Sequence, residues 1–200
     1  MAKRKKANAR KEDIRKAAVD LISEIGFHDC TTDKIAENAD ISVGTIYNYF
    51  SNKQDILSYI FKVEKEKTAD FFKKLLEKDI SADQKIKIFL NNHFNKICEN
   101  HKKAKLLHDE SNRPAKGVPK EIYDYVQLIR KYLKELLKEG KDSGLIKENK
   151  NLEITSAIIM GAVNSIALMA HMENKKAKLI CDSAPEEILS ILSEGIFLKK

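Results

Sequence analysis

Residues 31–53, TTDKIAENADISVGTIYNYFSNK, decide the fold of this chain. Their pattern predicts two short helices joined by a tight connection. A hydroxyl residue can cap each helix: Thr32 caps the first and Ser42 the second. The apolar residues that can form a small core between the two helices are Ile35, Ala36, Ile41, Ile46 and Phe50. This layout predicts a helix-turn-helix, which presents its second helix to the major groove of DNA.

The second helix of the motif, Val43 to about Phe50, carries groups that suit contact with DNA. Gly44 lacks a side chain, so the backbone there can approach a base edge or a phosphate closely. Hydroxyl and amide groups are offered by Thr45, Tyr47, Asn48 and Tyr49. Charged side chains are absent from this helix, so part of its attraction to DNA must come from elsewhere in the chain.

The rest of the chain is predicted to be helical, which makes the fold all-α with about nine helices. Seven glycines and three prolines in 200 residues are too few for the turns of a many-stranded sheet. Apolar residues recur at helical spacing over 11–25, and a long helix should run from Lys53 to about Lys78. Residues 152–173 are apolar on nearly all sides, which indicates a buried helix. Pro185 stands where a last helix, 186–197, can begin.

Positive charge is concentrated at the N-terminus of the chain. The formal net charge is +7, and six basic residues with no acidic one precede Glu12. Between Glu12 and Val63 five basic residues stand against nine acidic ones. We therefore expect residues 1–10 to form a disordered basic arm. Its contact with DNA phosphates is a hypothesis, and a solvated tail without such a role is the alternative.

Cysteine usage and hydropathy favour the cytoplasm. Cys30, Cys98 and Cys181 are odd in number and far apart, so neither a disulfide framework nor a zinc site is indicated. The charged N-terminus lacks the apolar stretch of a signal peptide. The longest apolar candidate for a membrane span, Ala157–Ala170, is shorter than the roughly 20 residues that a span requires.

Enzymatic chemistry is not indicated. The residues after about Val63 contain no set of nucleophile, base and orienting acid and no phosphate-binding glycine-rich loop, so we predict neither an enzyme nor a cofactor. His93, His101 and His108 are separated by eight and seven residues, and these spacings fit no compact pair of metal ligands. A metal site is therefore not expected.

The motif resembles that of the TetR family of transcription regulators. The family pattern has a Thr-capped helix, a turn ending in Ser-x-Gly-Thr, an aliphatic-Tyr-x-Tyr-Phe segment and a downstream lysine. The matching residues are Thr32, Ser42, Gly44, Thr45, Ile46, Tyr47, Tyr49, Phe50 and Lys53. The match extends over about Lys11–Phe61. The resemblance implies a DNA-binding domain over 11–55 and a helical ligand-binding and dimerisation domain over 56–200.

The resemblance also implies roles for individual residues. The predicted DNA-binding set is Thr32, Ser42, Val43, Gly44, Thr45, Tyr47, Asn48, Tyr49 and Lys53. Within it, the implied phosphate contacts are Thr32, Thr45, Tyr49 and Lys53. The implied base contacts are Gly44, Tyr47 and Asn48. At position 43 many members of the family carry a basic or polar residue, whereas this chain has Val43. The second helix of the motif, the recognition helix, is therefore uncharged.

By this resemblance the protein is expected to regulate transcription as a homodimer on double-stranded operator DNA, pairing through its last two helices. We expect a repressor that is released by a small, largely apolar effector, such as an acyl-CoA or another lipid-like molecule, although an activator is left open. The stretch from His108 to Ala167 faintly resembles fatty-acid metabolism regulators of the family. The alternative is a ligand-binding protein of the same fold that has lost operator recognition, which the uncharged helix favours.

Ligand cavities are mostly apolar and carry a few polar groups that orient the ligand. The residues predicted to line one are Phe94, Cys98, Tyr123, Val126, Met160 and Asn164. Ordinary packing is the competing explanation for each of them.

Overall fold

The computed structural model describes residues 2–113 and 118–195, and of residues 2–6 and Asn174 only the backbone. Every regular element in this part of the chain is helical, which confirms the all-α prediction and the number of helices. The elements are α1 (Ala2–Asp29), α2 (Thr32–Asn38), α3 (Val43–Tyr47), α4 (Lys53–Leu76), α5 (Ala82–Glu99), α6 (His101–Ser111), α7 (Lys120–Asp142), α8 (Leu152–Met172) and α9 (Ala177–Gly195), with a 3-10 turn at Asn174–Lys176.

Packing divides the chain into two compact units. The first contains Met1–Lys65 and Lys102–Tyr125, and the second contains Glu66–His101 and Val126–Lys200. The sequence boundary at residues 55 and 56 assigned α6 and the start of α7 to the ligand-binding domain, whereas both pack within the first unit. The chain crosses from one unit to the other within α4, after the first residue of α6, and within α7.

The first helix begins at Ala2, so residues 2–10, for which we expected a disordered arm, are the first turns of α1 in this structure. Alanine, lysine and arginine have high helix propensities, which favours this extension. Near the other end Gly26 leaves helical geometry, with φ 80° and ψ 161°. Glycine adopts positive φ without a steric penalty, which accounts for the break in the helix at this position.

The core of the first unit is shared by six helices. Buried residues of α1 to α4 are joined by Leu106 of α6 and Ile122 of α7. The residues predicted to fix the angle between the two motif helices are all part of this core, Ile41 only partly buried: Ile35, Ala36, Ile41, Ile46 and Phe50. The predicted helix-turn-helix core is therefore confirmed, but it is one side of a larger core to which α6 contributes.

A buried carboxylate joins α1, α4 and α6. Glu64 of α4 is 3% exposed, and its Oε1 lies 3.4 Å from Nζ of Lys103 and 3.9 Å from a guanidinium nitrogen of Arg15. The Arg15 side chain also donates two hydrogen bonds to Glu12, at 2.6 and 2.7 Å, and these raise the pKa of the guanidinium. Since a buried charge is costly unless it is paired, this network favours one arrangement of the three helices.

Two further contacts tie α6 and the residues after it to α1. Lys102 donates a hydrogen bond to Glu24 at 2.6 Å, near the start of α6. Just beyond its end, the guanidinium of Arg113 lies 2.7 Å from Nε2 of His28. A displacement of α6 would therefore act directly on α1.

In the second unit α9 packs against both α5 and α8. Pro185 was predicted to begin the last helix, but α9 begins at Ala177 and contains Pro185 in its interior. An interior proline costs about 3 kcal/mol, and Pro185 is buried together with Cys181 and Ala184 on the packed face of α9. Packing thus outweighs the local preference; the predicted end at Phe197 lies outside the described residues.

One described helix has the length and composition of a membrane span. It is α8, with a mean hydropathy of 1.6 in its most apolar window, of which 28% is buried. The expectation that no segment reaches this length was wrong, because Ala157–Ala170 is only part of the helix. A mostly buried core helix of a soluble protein passes the same test, whereas most of this window is not buried within the single chain.

Candidate nucleic-acid interface

The two helices of the motif meet at their exposed side chains. Thr31 caps α2: its backbone is extended and its hydroxyl accepts a hydrogen bond from the amide of Lys34 at 3.3 Å. The prediction that Thr32 is the cap was therefore wrong by one residue, because Thr32 already belongs to the helix. Oγ1 of Thr32 lies 3.4 Å from Oη of Tyr47 on α3. Thr32, a predicted phosphate contact, and Tyr47, a predicted base contact, thus lie side by side.

The cap of α3 is Ser42, as predicted. Its hydroxyl accepts a hydrogen bond from the amide of Thr45 at 3.2 Å and lies 2.9 Å from the Thr45 hydroxyl. The helix ends earlier than expected, at Tyr47, with Asn48 as its C-cap. Tyr49 and Phe50 follow outside the helix, and Phe50 is buried while Tyr49 is partly buried.

Solvent reaches one face of α3. Gly44, Tyr47 and Asn48 are exposed, whereas Ile46 is fully buried. Positions separated by three and four residues lie on the same side of a helix, so these three residues form one uncharged surface. They are the same three for which base contacts were predicted; the contacts themselves stay a prediction.

Gly44 is not required by the packing of the chain. A Cβ atom added there would meet only Oγ of Ser42, at the ordinary distance of 3.9 Å. Alanine is the better helix former by about 0.5–1 kcal/mol. The open space above Gly44 is therefore available to a partner.

Lys53, for which a phosphate contact was predicted, points to the end of α1. Its Nζ lies 2.9 Å from each of the carbonyl oxygens of Phe27, His28 and Cys30. An ammonium group has three N–H donors, so each of them has an acceptor here. Backbone carbonyls near the C-terminus of a helix attract cations. This geometry gives Lys53 an anchoring task that the sequence motif did not reveal.

Lys11, at the boundary between the expected arm and the domain, packs against aromatic rings. Its Nζ lies 5.4 Å from the ring centre of Phe50 and 5.5 Å from that of Tyr59, which is the geometry of a cation–π contact. It borders an open cavity of about 640 Å³ in the first unit, which Tyr49 also lines. The side chains of Lys3–Lys6, the other part of the predicted phosphate-binding arm, lie outside the described residues.

The residues predicted for a ligand pocket are distributed over both units. Tyr123 lies in the first unit and is 63% exposed. Of those in the second unit, Phe94 is fully buried and Cys98 is exposed. The partly buried ones are Val126, Met160 and Asn164. None of the six lines the cavity beside Lys11, and the pocket stays a prediction.

Two contacts in the second unit were not foreseen from the sequence. Nδ1 of His171 lies 3.1 Å from Nε2 of His101, and Sγ of Cys98 lies 4.0 Å from the carbonyl oxygen of Ala177, one turn before Cys181, whose pKa the Cys98 thiol helps to raise. Neither pair could be read from spacing, because its members are 70 or more residues apart. Within residues 2–113 and 118–195, no group of three His, Cys, Asp or Glu side chains could hold a metal ion.

The described residues form helices and include a short helix-turn-helix that exposes Gly44, Tyr47 and Asn48, an arrangement typical of DNA-binding transcription regulators. Residues 14–60 match the family model for bacterial regulatory proteins of the tetR family, and residues 61–195 match that for the C-terminal region of YsiA-like proteins. The chain belongs to the TetR family of transcription regulators.

Relatives of the chain include regulators of fatty-acid metabolism. It is 31% identical over 187 residues to the fatty acid metabolism regulator protein of Bacillus subtilis strain 168, covering 92% of this chain and 93% of the relative. The structure of the fatty acid degradation regulator FadR from Bacillus halodurans superposes with a TM-score of 0.85 at 26% identity, covering 92% of this chain and 95% of that one. FadR from Bacillus subtilis in complex with stearoyl-CoA superposes with a TM-score of 0.80 at 28% identity, covering 90% and 97%. These relatives are named as regulators, not as enzymes.

Proposed function

We propose that this chain is a transcriptional repressor that holds operator DNA as a homodimer in the cytoplasm and releases it when an acyl-CoA thioester binds. The observation that carries the proposal is the exposed face of α3, in which Gly44 leaves open space that the fold does not use. The class of ligand is supported by the likeness to FadR, which was solved with stearoyl-CoA bound.

In this proposal Gly44, Tyr47 and Asn48 face base edges in the major groove, while nearby hydroxyls hold phosphates. The hydroxyls assigned to phosphates are those of Thr32, Thr45 and Tyr49. The anchoring contacts of Lys53 make its contribution indirect, since they fix the start of α4 against the end of α1. The basic residues before Glu12 supply the general attraction that the acidic domain lacks.

A stripe on α8 supports the homodimer. Six exposed residues recur at alternating steps of four and three along the helix, a spacing that places them on one side: Ile154, Ile158, Gly161, Ser165, Leu168 and Met172. Monomeric soluble proteins rarely expose a contiguous apolar patch of this kind. Nothing lies within 4 Å of a Cβ atom added at Gly161, so another helix could approach closely there. On α9, Leu179 and Ile191 are also exposed. We assign this face to a second copy of the chain.

Release would follow from a shift between two arrangements of the dimer. Two recognition helices fit successive major grooves only when they are about 34 Å apart. An effector that favours a different spacing by tenfold to a hundredfold would weaken operator binding by about 1–3 kcal/mol. α4 belongs to both units, and α6 is bonded to α1 in the first unit, so both can carry such a change to the motif.

The test is a titration of the purified protein against DNA from upstream of its own gene, followed by fluorescence anisotropy. Stearoyl-CoA should weaken binding tenfold to a hundredfold, while free coenzyme A, which lacks the acyl chain, should leave it unchanged. Binding that stearoyl-CoA does not alter would exclude this effector. A protein that binds stearoyl-CoA but no DNA would instead be a ligand-binding protein that has lost operator recognition, the alternative that the uncharged α3 favours.

A further inference from the structure

Two cysteines of the second unit meet where α5 ends and α9 begins. Cys98 lies in the last turn of α5, and its Sγ is 4.0 Å from the carbonyl oxygen of Ala177, the first residue of α9. In an α-helix the amide of residue i donates to the carbonyl of residue i−4, so that carbonyl belongs to the same turn as Cys181. The Cys98 thiol also contributes to the raised pKa of the Cys181 thiol, as a neighbouring side chain does. Two thiols from different helices thus form one cluster.

The two sulfurs differ in access. Cys98 is exposed, whereas Cys181 is only 3% exposed. An oxidant in solution therefore reaches Cys98 first. Burial, together with the neighbouring Cys98, raises the pKa of Cys181 to about 12, so Cys181 keeps its proton at neutral pH. The third cysteine, Cys30, is buried in the other unit.

Local backbone structure favours the movement that would bring the two sulfurs into bonding distance. A disulfide requires the sulfurs to approach to about 2.05 Å. Pro185 has no N–H group and cannot donate the helical hydrogen bond that the Cys181 carbonyl would otherwise accept. Cys98 is the residue before the last one of α5. Both backbones are therefore less constrained here than in the middle of a regular helix.

We propose that Cys98 and Cys181 are a redox-active dithiol, which a hydroperoxide converts into a disulfide between α5 and α9. In the first step the Cys98 sulfur attacks the peroxide, the O–O bond breaks, and Cys98 becomes a sulfenic acid while an alcohol or water leaves. In the second step the Cys181 sulfur attacks the Cys98 sulfur, the S–O bond breaks, and the Cys181 proton leaves with the hydroxide as water. The peroxide gains two electrons, and the two thiols together lose two.

The test uses the full-length protein, reduced, desalted and treated with hydrogen peroxide. It is then unfolded in N-ethylmaleimide and weighed by intact-mass spectrometry. The oxidised protein should take up one maleimide in place of three and be about 2 Da lighter before alkylation, the mass of two hydrogens. Dithiothreitol should restore all three sites.

Serine variants distinguish a disulfide between Cys98 and Cys181 from oxidation of other residues. Cys30→Ser is the matched control and should still form the bond, losing both of its remaining alkylation sites. Cys98→Ser, a change at an exposed position, should abolish the loss of mass and leave Cys181 and Cys30 alkylated. Three maleimides on wild-type protein, after a peroxide dose that fully oxidises glutathione, would overturn the proposal. A disulfide-linked pair of chains in place of an internal bond would do the same.

Discussion

The ammonium of Lys53 lies 2.9 Å from the carbonyl oxygen of Phe27 and 4.7 Å from the centre of the Phe27 ring. The Lys53 side chain, at the first residue of α4, therefore donates hydrogen bonds to carbonyl oxygens at the end of α1. It also covers one face of the Phe27 ring. The recognition helix α3 lies in the chain between these two points, so its position depends on this contact.

Lys53→Met should lower the free energy of unfolding by about 1–3 kcal/mol, because three carbonyl oxygens lose a charged donor while the aliphatic stem is kept. Urea denaturation measures the change, and Lys62→Met, at an exposed position of the same helix, should have little effect. A direct phosphate contact would behave differently: stability would be unchanged and the salt dependence of operator binding would fall by about one ion. That second pattern would contradict the anchoring role.

Gly44→Ala should affect binding and folding in opposite directions. Operator affinity should fall tenfold or more, since a methyl group would occupy the space left for DNA. Stability should stay the same or rise by about 0.5–1 kcal/mol, because alanine is the better helix former. Gly195→Ala, where an added Cβ also meets nothing within 4 Å, is the control for helix propensity. Unchanged operator affinity in Gly44→Ala would remove α3 from the DNA interface at this point.

Deletion of residues 2–9 should weaken operator binding and flatten its dependence on salt, because four basic residues leave the chain. The measurement is a series of affinities at increasing salt concentration. Replacing Lys3, Arg4, Lys5 and Lys6 by glutamine keeps the length and removes only the charge. If the affinity and the salt slope are unchanged in both variants, the N-terminus has no part in binding.

Ile158→Asp should convert the proposed dimer into a monomer. Ile158 is 64% exposed in the single chain, so the substitution should not disturb folding. In a dimer formed through α8, the two aspartate carboxylates would be buried among apolar residues without partners. Sedimentation velocity gives the mass of the particle. Ile25→Asp, which changes a partly exposed isoleucine of α1, should remain dimeric. A dimeric Ile158→Asp variant would place the interface elsewhere.

Alkaline pH should destabilise the folded protein through ionisation of the Cys181 thiol. Its pKa rises from 9.0 to about 12 in the folded chain, so the folded state keeps a proton that the unfolded chain releases. The resulting stability is fully present below pH 9 and is lost as the pH rises towards 12. Under reducing conditions, the melting temperature of wild-type protein should therefore fall more steeply over this range than that of Cys181→Ser. Parallel curves would show that burial does not raise this pKa.

Local sequence determined the helix-turn-helix. Ser42 caps α3, Gly26 ends the regular part of α1, and the apolar spacing of Ile35 and Ile46 builds the motif core, because each of these effects acts over a few residues. The exposed face of α3 follows from the same spacing. The small number of glycines and prolines and the helical spacing of the apolar residues likewise sufficed for the all-α class.

Tertiary structure decided the features that depend on distant partners. Lys53 meets carbonyls more than 20 residues away, Cys98 meets Cys181, and α6 joins the core of the first unit. Pro185 lies inside a helix because packing exceeded its local cost. Helical spacing describes which side of an element is apolar, but it does not specify which other element covers that side. Those partners become known only when the helices have packed.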